Sequence, residues 1–333
     1  MARAAARTRR DWAEADRLRA EIEAAGWRVV DYGSAYELEP ASPPDEVVRG
    51  TVRHGTPASV PSRLAEPAIG SATVMLLVGS WSRPPDADRV ARVIDAHRRT
   101  MPADTTLLVI ADAPDETLDP ILDEAETDGA PTAAGNAGGV EVLRTAAPLG
   151  FGASLDLGLR RATAPIIVVA DGDIEPTGDL TIPMGRALDD PRVAIVGIDG
   201  FDTRDLRRFE PVESGPVTVV GSRLVAFRRV DAAVMGAMDA AFRGMDYAGP
   251  WLSLVLRDGG PGGAHRVALA VGDLPIERVA GAPPVIPGGG PRSSDERREF
   301  YRLFDRFGRR VDLLVGAATD SAYPNTGEAR DQP

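Results

Sequence analysis

From residue 73 onward the chain repeats one pattern: a short apolar run, a polar turn, then a segment with apolar residues every three or four positions. The apolar runs fall at 74–78, 106–111, 140–143, 166–170 and 193–198, and the amphipathic segments at 86–99, 116–126, 151–162 and 180–189. A strand buried on both faces needs a continuous apolar run rather than an alternating one, and helices between such strands supply the crossovers of a parallel sheet. The pattern predicts an α/β domain with a mostly parallel sheet and helices on both faces.

The ends of the chain read differently. Trp12, Ala15, Leu18, Ile22 and Ala25 fall on one helical face, and Gly26 supplies the stop. Residues 27–31 and 36–39 alternate apolar and polar positions around Tyr32-Gly33-Ser34-Ala35, which predicts a small hairpin. One helix and one hairpin make a poor independent core, so residues 1–40 are an appendage. Residues 41–71 carry many Pro and Ser without periodicity and read as a linker. The main domain is expected over 72–280. A Pro/Gly stretch and a docking helix bearing Phe300, Leu303, Phe304 and Phe307 follow over 281–316, and 317–333 is expected to be a disordered tail.

Composition narrows the chemistry. Hydrophobic residues make up 43% and charged residues 26% of the 333 positions, the balance of an ordinary globular protein. A net charge of −12 argues against broad binding to nucleic acid, which needs clustered positive charge. All 38 basic residues counted as Lys or Arg are Arg, which excludes Schiff-base chemistry and a phosphate-loop lysine. There is no Cys, which excludes thiolate metal sites, and the three His (His54, His97 and His265) are scattered, which argues against a His-rich zinc site. No apolar run approaches the ~20 residues needed to span a bilayer. The expected location is the cytoplasm, with peripheral membrane association compatible with it.

In an open parallel sheet, ligands bind beyond the carboxyl ends of the strands. Three polar turns stand there: Gly79-Ser80-Trp81-Ser82, Asp112-Ala113-Pro114-Asp115 and Asp171-Gly172-Asp173. Two carboxylates one residue apart can both reach a hard divalent cation, which prefers oxygen and can bridge a diphosphate. Gly172 is expected to keep the turn clear of the ligand. Trp81 suits either loop packing or base stacking, Trp251 suits the core, and His265 and Arg160-Arg161 suit the surface.

The unit Leu149-Gly-Phe-Gly-Ala-Ser-Leu-Asp-Leu-Gly-Leu-Arg-Arg-Ala162 followed by Pro165-Ile-Ile-Val-Val-Ala-Asp-Gly-Asp-Ile-Glu-Pro176 resembles the donor-binding core of family 2 glycosyltransferases. The resemblance extends over about residues 73–278. It implies a GT-A fold and transfer of a sugar from a nucleoside-diphosphate donor, with Mg²⁺ or Mn²⁺ as cofactor and inversion at the anomeric carbon. Asp171 and Asp173 fall on the family's metal and diphosphate positions. Ser80, Asp112, Asp115 and Asp171 are then the nucleotide-sugar-binding candidates, with Asp112 near the base-contacting acid and its register against Asp115 open. Gly221-Ser-Arg-Leu-Val-Ala-Phe-Arg-Arg229, Met238-Asp-Ala-Ala-Phe-Arg243 and Trp251-Leu-Ser-Leu-Val-Leu-Arg-Asp258 resemble the acceptor side. The family's acidic pair, one member of which is the base, is replaced by Ala248-Gly249-Pro250, which leaves Asp246 as the candidate base and Asp239 behind it. Ile276-Glu-Arg278 stands where a family His is often found.

Residues 9–31 resemble the carboxyl-terminal helix and hairpin of cysteinyl-tRNA synthetases, which implies a tRNA or protein contact through residues 1–40, helped by Arg3, Arg7, Arg9 and Arg10. The acceptor stays open between a saccharide, a lipid-linked molecule and a protein. The rival readings are a nucleotide-sugar-binding protein without catalysis, a tRNA-associated accessory module, and a nucleotidyltransferase, for which only Arg83 offers a basic residue after the first strand.

Overall fold

Each apolar run becomes a strand and each amphipathic segment a helix, in the order the pattern predicts. The computed structural model describes residues 2–24, 26–32, 35–40, 43–81, 83–128, 139–259, 266–278 and 293–315. The expectations for His265, for the Pro/Gly stretch and for the 317–333 tail lie outside these residues. So do Ser82 and the Gly33-Ser34 turn.

The chain opens with α1 (Ala2–Thr8) and α2 (Trp12–Ala24), then the antiparallel hairpin of β1 (Trp27–Tyr32) and β2 (Ala35–Pro40). On α2 only part of the expected face is buried: Ala15 is 3% exposed, whereas Trp12 is 59% exposed. The 41–71 segment corrects the linker expectation. It holds β3 (Glu46–Val48) and β4 (Thr51–His54), and β4 runs parallel to a strand of the central sheet. Val47 and Val52 are exposed, so backbone pairing rather than apolar burial forms this edge, and no apolar run announces it.

The repeating region gives β5 (Ala72–Val78), α3 (Ala87–Thr100), β6 (Thr105–Ala111), α4 (Asp119–Asp128), β7 (Val140–Thr145), α5 (Phe151–Arg161), β8 (Ile166–Asp171), a short β9 (Ile174–Pro176), α6 (Thr181–Ala187) and β10 (Val193–Gly197). Asp86 caps α3, its Oδ1 accepting from the Arg89 amide at 2.9 Å. Beyond β10 come β11 (Gly200–Asp202), β12 (Glu210–Val212), β13 (Gly215–Val217), β14 (Val219–Val220) and β15 (Leu224–Arg228). Then follow α7 (Arg229–Met235), α8 (Ala248–Asp258), β16 (Val267–Ala270), β17 (Ile276–Arg278), α9 (Ser294–Phe307) and α10 (Val311–Val315).

Among the described residues ten strands form the central sheet in the order β13-β16-β10-β15-β8-β5-β6-β7-β4-β3. The run β8-β5-β6-β7-β4 is parallel, and β15 lies antiparallel to both β8 and β10. Alternate residues of each strand feed opposite faces: Met75 and Leu77 join an apolar cluster with α5, α8 and α9, while Val74 and Leu76 join one with α3. Trp251 is 7% exposed in the first cluster, as the core reading required. Leu303 and Phe307 dock α9 there with no exposure.

Candidate functional site

The three polar turns converge on the end of β5. The Val78 carbonyl accepts from the Asp112 amide at 2.8 Å, and the Leu77 carbonyl accepts from the Gly172 amide at 2.9 Å. β6 and β8 flank β5 on opposite sides, and the chain moves outward in opposite directions from them, so a crevice opens at this switch point.

Asp171 and Asp173 are each 3% exposed. Asp171 Oδ1 accepts from Trp81 Nε1 at 3.2 Å, and its Oδ2 has no partner. Burial, reinforced by the neighbouring Asp173 charge, pushes the Asp171 carboxyl up to about 6, against the Trp81 bond and the positive charge of Arg223. Asp173 Oδ1 accepts from Arg83 Nε at 3.1 Å and Nη2 at 2.8 Å, and Arg89 Nε stands 3.3 Å away. Asp173 Oδ2 is also buried without a partner. Two carboxylates therefore each keep one spare oxygen.

The turn after β5 covers them. The Trp81 ring folds back on Gly79, where a Cβ would lie 2.1 Å from it, and its edge meets Phe151 at 5.6 Å between centroids. The Arg83, Arg89, Asp171 and Asp173 side chains then leave a cavity of about 10 Å³, room for roughly one water. Gly172 is not in the left-handed region, and a Cβ there would make only ordinary contact, 3.4 Å from the Leu77 carbonyl, so the protein itself does not demand glycine.

The other donor-side candidates do not share this spare capacity. Asp112 Oδ1 accepts from the Leu149 amide at 2.8 Å and from Thr145 Oγ1 at 2.9 Å, and Oδ2 accepts from the Gly150 amide at 2.9 Å. It holds the entry to α5, where Gly150 has φ 90° and a Cβ would sit 2.8 Å from Arg243 Cα. Asp115 is exposed and closes the turn into α4, accepting from the Thr117 hydroxyl and amide and the Leu118 amide, bonds that hold its carboxyl below the usual range. Ser80 is exposed at the crevice rim.

On the acceptor side the first turn of α8 lies against the backbone before β15. A Cβ at Gly249 would meet the Gly221 carbonyl carbon and the Val220 oxygen at 2.6 Å, so a carboxylate cannot stand there without moving backbone. Ser253 Oγ fastens the contact, accepting from the Val220 amide at 3.0 Å and donating to the Gly249 carbonyl at 2.8 Å. Asp246 is half-buried in the preceding loop. Asp239 is occupied, bonded to Arg302 and to the Ala241 amide. β17 pairs with β9, which sets Arg278 opposite Ile174, next to Asp173.

Two residues were not singled out by the sequence reading. Glu299, 1% exposed on α9, accepts from the Arg243 and Gly244 amides at 2.8 Å through Oε1, while Oε2 has no partner. Burial raises its pKa, and the charge of Asp246 adds to the rise. The available signal was an acid in step with Leu303 and Phe307 on the apolar face of a helix. Arg223 is 1% exposed, and its Nε and Nη2 have no acceptor. Its signal was a charge at the head of an apolar strand.

Residues 85–230 match the family model described as Glycosyl transferase family 2. Among solved structures, a GalNAc-T7 crystal structure with UDP, GalNAc and Mn²⁺ aligns with TM-score 0.55 and 14% identity, covering 73% of this chain and 50% of that one. The chain thus spans half the length of that neighbour. The mannosyltransferase PcManGT from Pyrobaculum calidifontis, in complex with GDP-Man and Mn²⁺, aligns with TM-score 0.47 and 16% identity over 80% of this chain and 79% of that one. No curated protein matches the sequence. The fold is that of the GT-A glycosyltransferases. These comparisons give no support to the synthetase resemblance of residues 1–40, and on α2 the Arg17 guanidinium is engaged by Glu14 and Glu21 rather than held out for phosphate. Among the described residues no helix is long and apolar enough to cross a membrane.

Proposed function

We propose that residues 72–278 bind a nucleoside-diphosphate sugar at the end of β5 and transfer the sugar to an acceptor with inversion at the anomeric carbon. The observation that carries this reading is the pair of buried, unpartnered oxygens, Asp171 Oδ2 and Asp173 Oδ2, at the switch point of a GT-A sheet. Spare carboxylate oxygens one residue apart fit a hard divalent cation, Mg²⁺ or Mn²⁺. Among the described residues no cluster of three or more metal-ligating side chains exists, so these two would hold the ion together with oxygens of the ligand. When bound, such an ion neutralises charge on a leaving diphosphate. Arg83 and Arg89 already balance Asp173, which places positive charge beside the same position. Ser80, at the rim, and Asp112, at the α5 entry, mark the nucleoside side.

Asp246 is the candidate base, in the loop that Glu299 holds from behind. A second reading rests on Gly249: with backbone where the family's acid would stand, the domain binds the nucleotide sugar without transferring it. Calorimetry of the full chain with a panel of nucleotide sugars and either metal tests the shared part. Asp173→Ala should weaken binding by tenfold or more, at about 1.4 kcal/mol per tenfold; unchanged binding would place the site elsewhere. Turnover then separates the two readings, since tight binding without transfer or hydrolysis removes the enzyme.

A further inference from the structure

Among the described residues the buried arginines other than Arg223 each have an acceptor for at least one guanidinium nitrogen, although Arg266 leaves its Nε unpartnered. Arg144 pairs with Asp123 at 2.7 Å and Glu126 at 3.3 Å, Arg266 pairs with Asp231 at 2.6 Å, and Arg257 donates to the Arg266 and Thr218 carbonyls at 2.8 and 2.6 Å. Arg223 differs in having two buried guanidinium nitrogens, Nε and Nη2, without an acceptor. A guanidinium cannot shed its charge. Burying one unpaired opposes folding, so a retained one points to an acceptor that arrives with a ligand.

Its position says which ligand. Arg223 opposes Asp171 across the β15–β8 ladder, where the Asp171 amide donates to the Arg223 carbonyl at 2.7 Å and the next pair is Leu224 with Ala170. The side chain acts on Asp171 through its charge, yet Asp171 Oδ2 is unpartnered as well. On the far side, Gly249 lies against Gly221 and Ser222, so the start of α8 brings no carboxylate to Arg223. Unsatisfied donors and an unsatisfied acceptor thus stand together. A bare anion would be repelled by Asp171, and a bare cation by Arg223. A diphosphate accompanied by its divalent cation satisfies both, and a guanidinium fork matches phosphate oxygens in two-point contact.

We infer that Arg223 is a binding residue for a phosphate oxygen of a metal-associated diphosphate group. The inference deepens the nucleotide-sugar reading and depends on it only for the nucleoside and the sugar.

The test is calorimetry of the full chain with inorganic diphosphate and Mg²⁺ or Mn²⁺, for the unaltered protein, Arg223→Met and Arg223→Lys, with the ligand-free thermal midpoint of each. Arg223→Met should bind diphosphate about tenfold or more weakly, with a midpoint equal to or above that of the unaltered chain, because an unpaired buried charge has gone. Arg223→Lys, with the charge but not the fork, should fall between. Absent diphosphate binding by the unaltered protein, or equal affinity in Arg223→Met, overturns the inference. A lowered midpoint or failure of Arg223→Met to fold also overturns it, since the guanidinium would then be a structural member. Diphosphate binding through Arg223 with no nucleotide sugar bound would sink the glycosyltransferase reading alone. Nucleotide sugars bound equally well by Arg223→Met would sink this inference alone.

Discussion

Asp112 and Glu299 do the same mechanical job on two walls of one crevice, and they do it with different leftovers. Each carboxylate grips two consecutive backbone amides: Asp112 holds Leu149 and Gly150, and Glu299 holds Arg243 and Gly244. The two gripped segments touch, with the Phe151 amide donating to the Arg243 carbonyl at 3.0 Å. Asp112 spends both oxygens, one on each amide. Glu299 puts both amides on Oε1 and leaves Oε2 buried and unpartnered. Hydrogen-bond inventory therefore distinguishes a carboxylate that builds the crevice from one that builds it while carrying unused charge, and residue type alone does not.

The largest effect should come from removing the fully spent acid. Asp112→Ala leaves two amide donors without acceptors, at about 1–3 kcal/mol each, so a stability loss of about 3 kcal/mol is expected in denaturant unfolding. A loss below about 1 kcal/mol would mean that Asp112 is free for a ligand and that the comparison fails. Asp112→Asn is the sharper probe. One amide oxygen remains, but its NH₂ must face either an N–H donor or solvent, so a loss of roughly 1–2 kcal/mol is expected by the same measurement. Equal stability of Asn and Asp at this position would show that only one of the two amide bonds matters.

Much of the scaffold was legible because it rests on short-range pattern. The runs at 74–78 and 166–170 became β5 and β8 with one to two residues added, since a strand buried on both faces leaves an unmistakable apolar block. The edge β3–β4 was not legible, because its pairing is carried by backbone and its valines face solvent. The same division runs through the site. The strand-end position of Asp171 and Asp173 could be read from the apolar run before them. Arg223 and Glu299 could not, because what singles them out is an atom lacking a partner, a property of the assembled structure. Asp112 shows the opposite case: its position at a strand end suggests a ligand contact, while the bonds that its oxygens accept from Thr145 and the α5 entry could not be read from the sequence.

The smallest effect, and the one with reversed sign, belongs to Glu299→Gln. Gln keeps an oxygen for the Arg243 and Gly244 amides and removes the ability to ionise. The folded protein holds the Glu299 proton more tightly than the unfolded chain, because burial disfavours its charged form and Asp246 adds repulsion. Between the ordinary carboxylate value and the raised one, the native state therefore binds more protons than the unfolded state, and stability falls as pH rises through that window. Below the window Glu299 is protonated in both states, and the variant should match the unaltered protein. Above it the variant should be the more stable of the two. Unfolding curves for both proteins from pH 4 to pH 8 measure the difference. A Gln variant that is less stable at every pH would show that Oε2 has a partner the folded chain supplies, and the contrast with Asp112 would disappear.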